Sequence, residues 1–134
     1  MDRKLVGMLS VAGIVMGVTS VLGWTQHREG VLWLVIAIAS AFVIAREAPG
    51  ALFRHGFWTG LLAGIASPLI QCAFYSTYLA NNPDSAAQIQ TMPANWNPRV
   101  MLLIFAPLMG LVNGLGIGLL SWVASKFMRR RLTT

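Results

Sequence analysis

Residues 5–24 read LVGMLSVAGIVMGVTSVLGW, a run without one charged side chain. Coiled as an α-helix it measures about 30 Å, the thickness of a bilayer's hydrocarbon core. Arg3 and Lys4 stand before it, and Arg28, Glu29 and Gly30 form a tight turn after it. A soluble fold would have to bury this run and cover it with polar surface. Charged residues are 10% of the 134, against 56% hydrophobic, which leaves too little to cover it with. Lipid is the expected solvent. A cleaved signal peptide is the alternative for this run, with Arg3 and Lys4 as the basic start and Val21-Leu22-Gly23 as the cleavage site. The run exceeds the usual apolar region of about 7–15 residues, and cleavage would leave three spans in the same orientation.

Outward from there the pattern repeats. Val31 to Ala45 is apolar or small and, at about 22 Å, short for a span; Arg28 and Arg46 extend it by snorkelling. Pro49 and Gly50 end it. Gly56 to Ala80 and Val100 to Ser125 are long enough to cross with tilt. The expected fold is all-α: four transmembrane helices in an up-down bundle of two hairpins. The spans fall at about 5–24, 30–46, 56–80 and 99–125, in a single membrane domain over 1–134.

The stretch 81–99 is polar but has readable structure. Asn82-Pro83-Asp84 supplies an N-cap, a proline at the first helical position and an acid in the first turn. A short helix to about Met92 follows, and Asn97-Pro98 repeats the signal before the fourth span. The loop is expected as an ordered lid over the outer end.

Orientation follows from the basic residues. Arg3, Lys4, Arg46, Arg54, Lys126, Arg129, Arg130 and Arg131 fall on one side, and only Arg28 and Arg99 on the other. The positive-inside rule then puts both termini and the middle loop in the cytoplasm. Trp24, Trp33 and Trp96, with Tyr75 and Tyr78, mark the outer belt; Trp58 and Trp122 mark the inner one. The net charge of +6 sits at span ends rather than in a stripe, so nucleic acid is not an expected partner. The tail Lys126, Arg129, Arg130, Arg131 reads as a stop-transfer cluster or as an attractor of anionic lipid headgroups, at about 1 kcal/mol per basic residue near the surface.

Helices in lipid gain nothing from burying apolar surface against one another, so small residues and polar groups decide how they associate. Gly56, Gly60 and Gly64 follow one another at four-residue steps within one sector of the third span, beside Ser67 and Gln71. Gly110, Gly114 and Gly118 repeat the device on the fourth, continued by Ser121 and Ser125, with Asn113 one step aside. Gly13 and Gly17, and Ala37, Ala41 and Ala45, do the same on the first two spans. Close helix contact is the plain reading of these lines; a narrow pore or ligand groove along them is the other. Gln71 and Asn113 are the strongest polar groups at depth, and each is the best partner available to the other. Pro68 and Pro107 each free a carbonyl one turn earlier.

Catalytic and coupling chemistry is not in view. No Asp, Glu, Lys, Arg or His falls mid-span, where a proton relay would need one. No HExxH, GxSxG, P-loop or CxxC occurs, and no metal or cofactor is implied. His27 and His55 lie at the boundaries, where a solvated side chain is expected. The lone Cys72 reads as a buried packing thiol.

The order of parts carries a resemblance. Arg46-Glu47 at the inner turn leads to Phe53-Arg54-His55-Gly56-Phe57-Trp58-Thr59-Gly60. The third span ends in Phe74-Tyr75-Ser76-Thr77-Tyr78 and an Asn-Pro-Asp loop, and the chain closes on a basic tail. In this layout, over nearly its whole length, the chain resembles the small bacterial inner-membrane proteins of the domain-of-unknown-function family numbered 4199. The resemblance implies a bacterial cytoplasmic (inner) membrane protein and transfers no site residues. The expected function is a non-enzymatic accessory or assembly component acting through helix packing, with a homo-oligomer or another membrane protein as partner. The alternative is a small oligomeric channel or exporter for a neutral or weakly charged solute.

Overall fold

The structure is a computed structural model that describes residues 1–131, with side chains through Met128. Asp2 caps the first helix, α1 (Arg3–Val21), its carboxylate accepting from the backbone N–H groups of Lys4 at 2.9 Å and Leu5 at 3.1 Å. The helix ends in a Schellman turn. Gly23 N–H bonds the Ser20 carbonyl and Trp24 N–H that of Thr19, with Gly23 at φ +75°, where a side chain would be strained. A 3-10 turn (Gln26–Arg28) leads into α2 (Glu29–Glu47). Ala51, in the left-handed region at φ 48° and ψ 45°, then reverses the chain into α3 (Leu52–Ala73). After α4 (Tyr75–Asn81) and α5 (Pro83–Gln90), α6 runs from Pro98 to Arg131. Asn97 Oδ1 accepts from Arg99 N–H at its start, 3.0 Å away. Four helical segments are long and apolar enough to cross a membrane: Arg3–Val21, Gln26–Glu47, Leu52–Ala73 and Pro98–Met128.

The third run is not the continuous 56–80 helix of the sequence reading. It begins earlier, at Leu52, passes through Pro68 unbroken, and breaks at Phe74, where the backbone opens to φ −107° and ψ 40°. The reason lies at the end of α1. Its last carbonyls have no partner within the helix, and the break delivers two asparagines to them. Asn81 Nδ2 donates to the Val21 carbonyl at 3.0 Å, and Asn82 Nδ2 to that of Ser20 at 2.8 Å. Asn82 therefore holds the N-cap position of α5, with Pro83 first in the helix, but its side chain does not cap; its amide also donates to the Tyr78 carbonyl at 2.8 Å. Capping lost to a buried carbonyl pair, because those acceptors have no water to turn to. The loop is otherwise pinned: Asp84 pairs with His27 at 3.0 Å, and Tyr78 and Ser85 share a hydrogen bond of 3.1 Å.

In the bundle α3 lies between α1 and α6, and α2 packs chiefly on α6 rather than on its hairpin partner α1. The α1–α3 contact is parallel: Asp2 meets His55, Ser10 approaches Thr59, and Ser20 meets Gln71. The α3–α6 contact is antiparallel. Leu5, Ile44 and Ile117 form a small buried cluster near the end that also carries Arg3, Lys4, Arg46, Arg54 and Lys126. The buried residues of α2, Ser40, Ala41 and Ile44, are all in its C-terminal half. Its N-terminal half leaves the core, and a groove opens there.

Candidate functional site

The two glycine triplets meet each other. Antiparallel packing brings Gly56 to Gly118, Gly60 to Gly114 and Gly64 to Gly110, backbone against backbone. A Cβ built on Gly56 would lie 2.6 Å from the Ile117 carbonyl oxygen, and one on Gly114 2.7 Å from that of Phe57. On Gly64 it would lie 2.8 Å from Gly110 Cα. On Gly60 it would run into the Asn113 and Gly114 backbone. Gly13 on α1 stands equally close to Ala63. No axial channel separates these backbones.

Gln71 and Asn113 do not pair. Gln71 is buried and donates from Nε2 to Ser20 Oγ on α1 at 2.8 Å. The partner comes instead from α1, which runs beside α3 in the same direction and brings the Ser20 hydroxyl to the level of Gln71. Asn113 is half-buried, and its Nδ2 sits beside Gly64. The two amides share a cavity instead of a bond.

That cavity, about 420 Å³, is the groove left where α2 splays from the core. From α3 it takes Gly64, Ser67 and Gln71; from α6, Leu102, Phe105, Met109 and Asn113. Glu29, Gly30 and Trp33 of α2 close its third side, and Tyr78 its end. Glu29 is half-buried, on the wall of the same cavity that Gln71 lines. A smaller cavity of about 150 Å³ adjoins it through Glu29 and Tyr78, bordered by His27, Asn82 and Asp84. The sequence reading placed Glu29 in a turn and Trp33 in a boundary belt. Their separation of one helical turn was the available signal that both face the same way.

Other expectations are corrected here. His55, expected in solvent, is 1% exposed. Its Nε2 accepts from the Asp2 backbone N–H at 2.8 Å and its Nδ1 lies 3.0 Å from the Ala51 carbonyl, so the ring proton sits on Nδ1. The histidine ties the chain's start to the first turn of α3. Cys72 is half-buried rather than buried, its Sγ 3.8 Å from the Arg99 carbonyl oxygen. Among the described residues no three His, Cys, Asp or Glu side chains group to hold a metal.

At the opposite end, Arg54 and Lys126 border a hollow of about 370 Å³ with Trp122 and Ser125. Lys126 Nζ lies 3.6 Å above the Trp122 ring. The side chains of Arg129, Arg130 and Arg131 lie outside the described ones. Compared with family models, with curated proteins and with solved structures, the chain matches none.

Proposed function

We propose that this chain is a non-enzymatic, multi-pass component of a bacterial cytoplasmic membrane, acting as an accessory or assembly subunit through helix contacts. The observation that carries the reading is the mutual burial of the glycine triplets of α3 and α6. With both lines occupied inside one chain, the bundle is a fixed stave, and contact with a partner falls to surfaces outside the core. One of these is α2, where Leu34, Ile38 and Phe42 are each more than half exposed. The basic end, with Arg54 and Lys126 around Trp122, suits anionic headgroups and a cytoplasmic placement of both termini.

Stoichiometry in the membrane tests this reading. Single-molecule photobleaching of the labelled full chain in native membranes is expected to count a fixed complex, either of this chain alone or with an equimolar membrane protein. Ile38→Trp on α2 should break that complex without unfolding the chain. The second reading, a small oligomeric channel or exporter for a neutral or weakly charged solute, draws on the groove. A chain that diffuses alone as a monomer sinks the first reading, and solute flux into reconstituted liposomes would put the second in its place.

A further inference from the structure

We propose that the groove between α2, α3 and α6 binds a small amphiphilic organic cation, its ammonium group held between Glu29 and Trp33 and its apolar body against Leu102, Phe105 and Met109. The charge comes first. Glu29 is the one carboxylate lining this groove, and no lysine or arginine lines it. The ion pairs among the described residues are His27 with Asp84 and Arg46 with Glu47, so Glu29 has no cationic partner there. A half-buried carboxylate at the edge of a hydrocarbon layer is costly without one. An acid in the first turn of α2 suits the helix dipole, but that role needs neither a cavity nor an aromatic neighbour.

The surroundings specify the cation. Trp33 follows Glu29 by one turn of the same helix and lines the same wall, and an indole face attracts an alkylammonium more strongly than any other side chain's ring. Gln71, on the same wall, is held by its 2.8 Å bond to Ser20 and carries no charge to offset the carboxylate. Deeper in, the wall turns apolar, with Phe105 and Met109 across from the amides of Gln71 and Asn113. A volume of about 420 Å³ lies in the range of small-molecule sites. Gly30 leaves the wall open: a Cβ there would meet nothing within 4 Å. The adjoining hollow holds Asp84 with His27 beside it at 3.0 Å. A neutral occupant would leave the carboxylate as it is. This inference is independent of the accessory reading, since a subunit of a complex can hold such a ligand.

The test uses the full chain in nanodiscs of zwitterionic phosphatidylcholine, with benzyltrimethylammonium as probe and neopentylbenzene as its uncharged isostere. Equilibrium dialysis at neutral pH should show saturable binding of the cation and no displacement by the isostere. Glu29→Gln should weaken binding roughly tenfold, the scale of a lost charge contact plus its share of the cation–π geometry. Gly30→Leu fills the groove from a position with free space around it, so binding should vanish while the thermal unfolding temperature holds. If Glu29→Gln does not fold, Trp33→Leu decides, with the same roughly tenfold loss expected. Absence of saturable binding, wild-type affinity in Glu29→Gln or in Gly30→Leu, or equal displacement by neopentylbenzene overturns the proposal.

Discussion

Gln71 on α3 and Ser20 on α1 are joined by a hydrogen bond of 2.8 Å between two helices that run in the same direction. Both side chains are buried, at 7% and 1% exposure, so neither has water as an alternative partner. Hydrogen bonds of this kind in membrane bundles couple by about 0.6 kcal/mol on average and up to about 1.7. Gln71→Leu and Ser20→Ala should therefore show coupling of that size in a double-mutant cycle read by unfolding in mixed micelles. Gln71→Leu and Asn113→Leu should add independently. Coupling in the second pair and additivity in the first would reverse the assignment.

The glycine contacts predict a contrast within a single helix. Gly114→Leu forces a side chain into the Phe57 backbone, whereas Gly116→Leu, two residues on, points into open space. The first should destabilise by at least the roughly 1–3 kcal/mol typical of overpacking. The second should fall within about 0.5 kcal/mol of wild type, as exposed substitutions do. Equal tolerance at 114 and 116 would mean that α3 and α6 do not meet along this line.

The four spans could be read directly because each is a long apolar run with charges at its ends, and a bilayer admits few other solutions. The short helix after Asn82 was legible too, from Asn82-Pro83-Asp84, although the Asn82 side chain turns away from capping it. What escaped was everything set by which helices touch. Gln71 looked to Asn113 because both are amides, but partner choice depends on the parallel α1–α3 contact, which no periodicity announces. The break at Phe74 has no glycine or proline to mark it; it goes with the reach of Asn81 and Asn82 to the Val21 and Ser20 carbonyls, far away in the chain. Glu29 read as a turn residue because a single charge at a span's edge looks the same whether water or a cavity lies beside it.

Ala51 offers a gain in stability. It enters α3 in the left-handed region at φ 48°, a conformation in which an L side chain is strained. Ala51→Gly removes that strain at the cost of a more flexible unfolded chain, leaving a net gain of about 0.5–1 kcal/mol. The midpoint of unfolding in mixed micelles should rise. Any fall in the midpoint would mean that Ala51 is not in this conformation in the membrane.

Topology can be tested at two exposed positions on opposite ends of the bundle. Gly50 lies in the turn between α2 and α3, where a Cβ meets nothing within 4 Å, and Gln90 ends α5. The end near Gly50 carries Arg46, Arg54 and Lys126, while Arg99 is at the other, its guanidinium 5.0 Å from the Tyr75 ring. The positive-inside rule acts on such an asymmetry during insertion, and the proposed orientation has the basic end in the cytoplasm. In a Cys72→Ala background, Gln90→Cys should react with a membrane-impermeant maleimide on intact spheroplasts, and Gly50→Cys only after lysis. Cys72 must be removed first because it is half-buried and could react itself. Labelling of Gly50→Cys on intact cells would invert the bundle and move the groove beside Glu29 to the cytoplasmic side. Labelling of both positions on intact cells would indicate two orientations in one population, and the basic asymmetry would then not be what orients the chain.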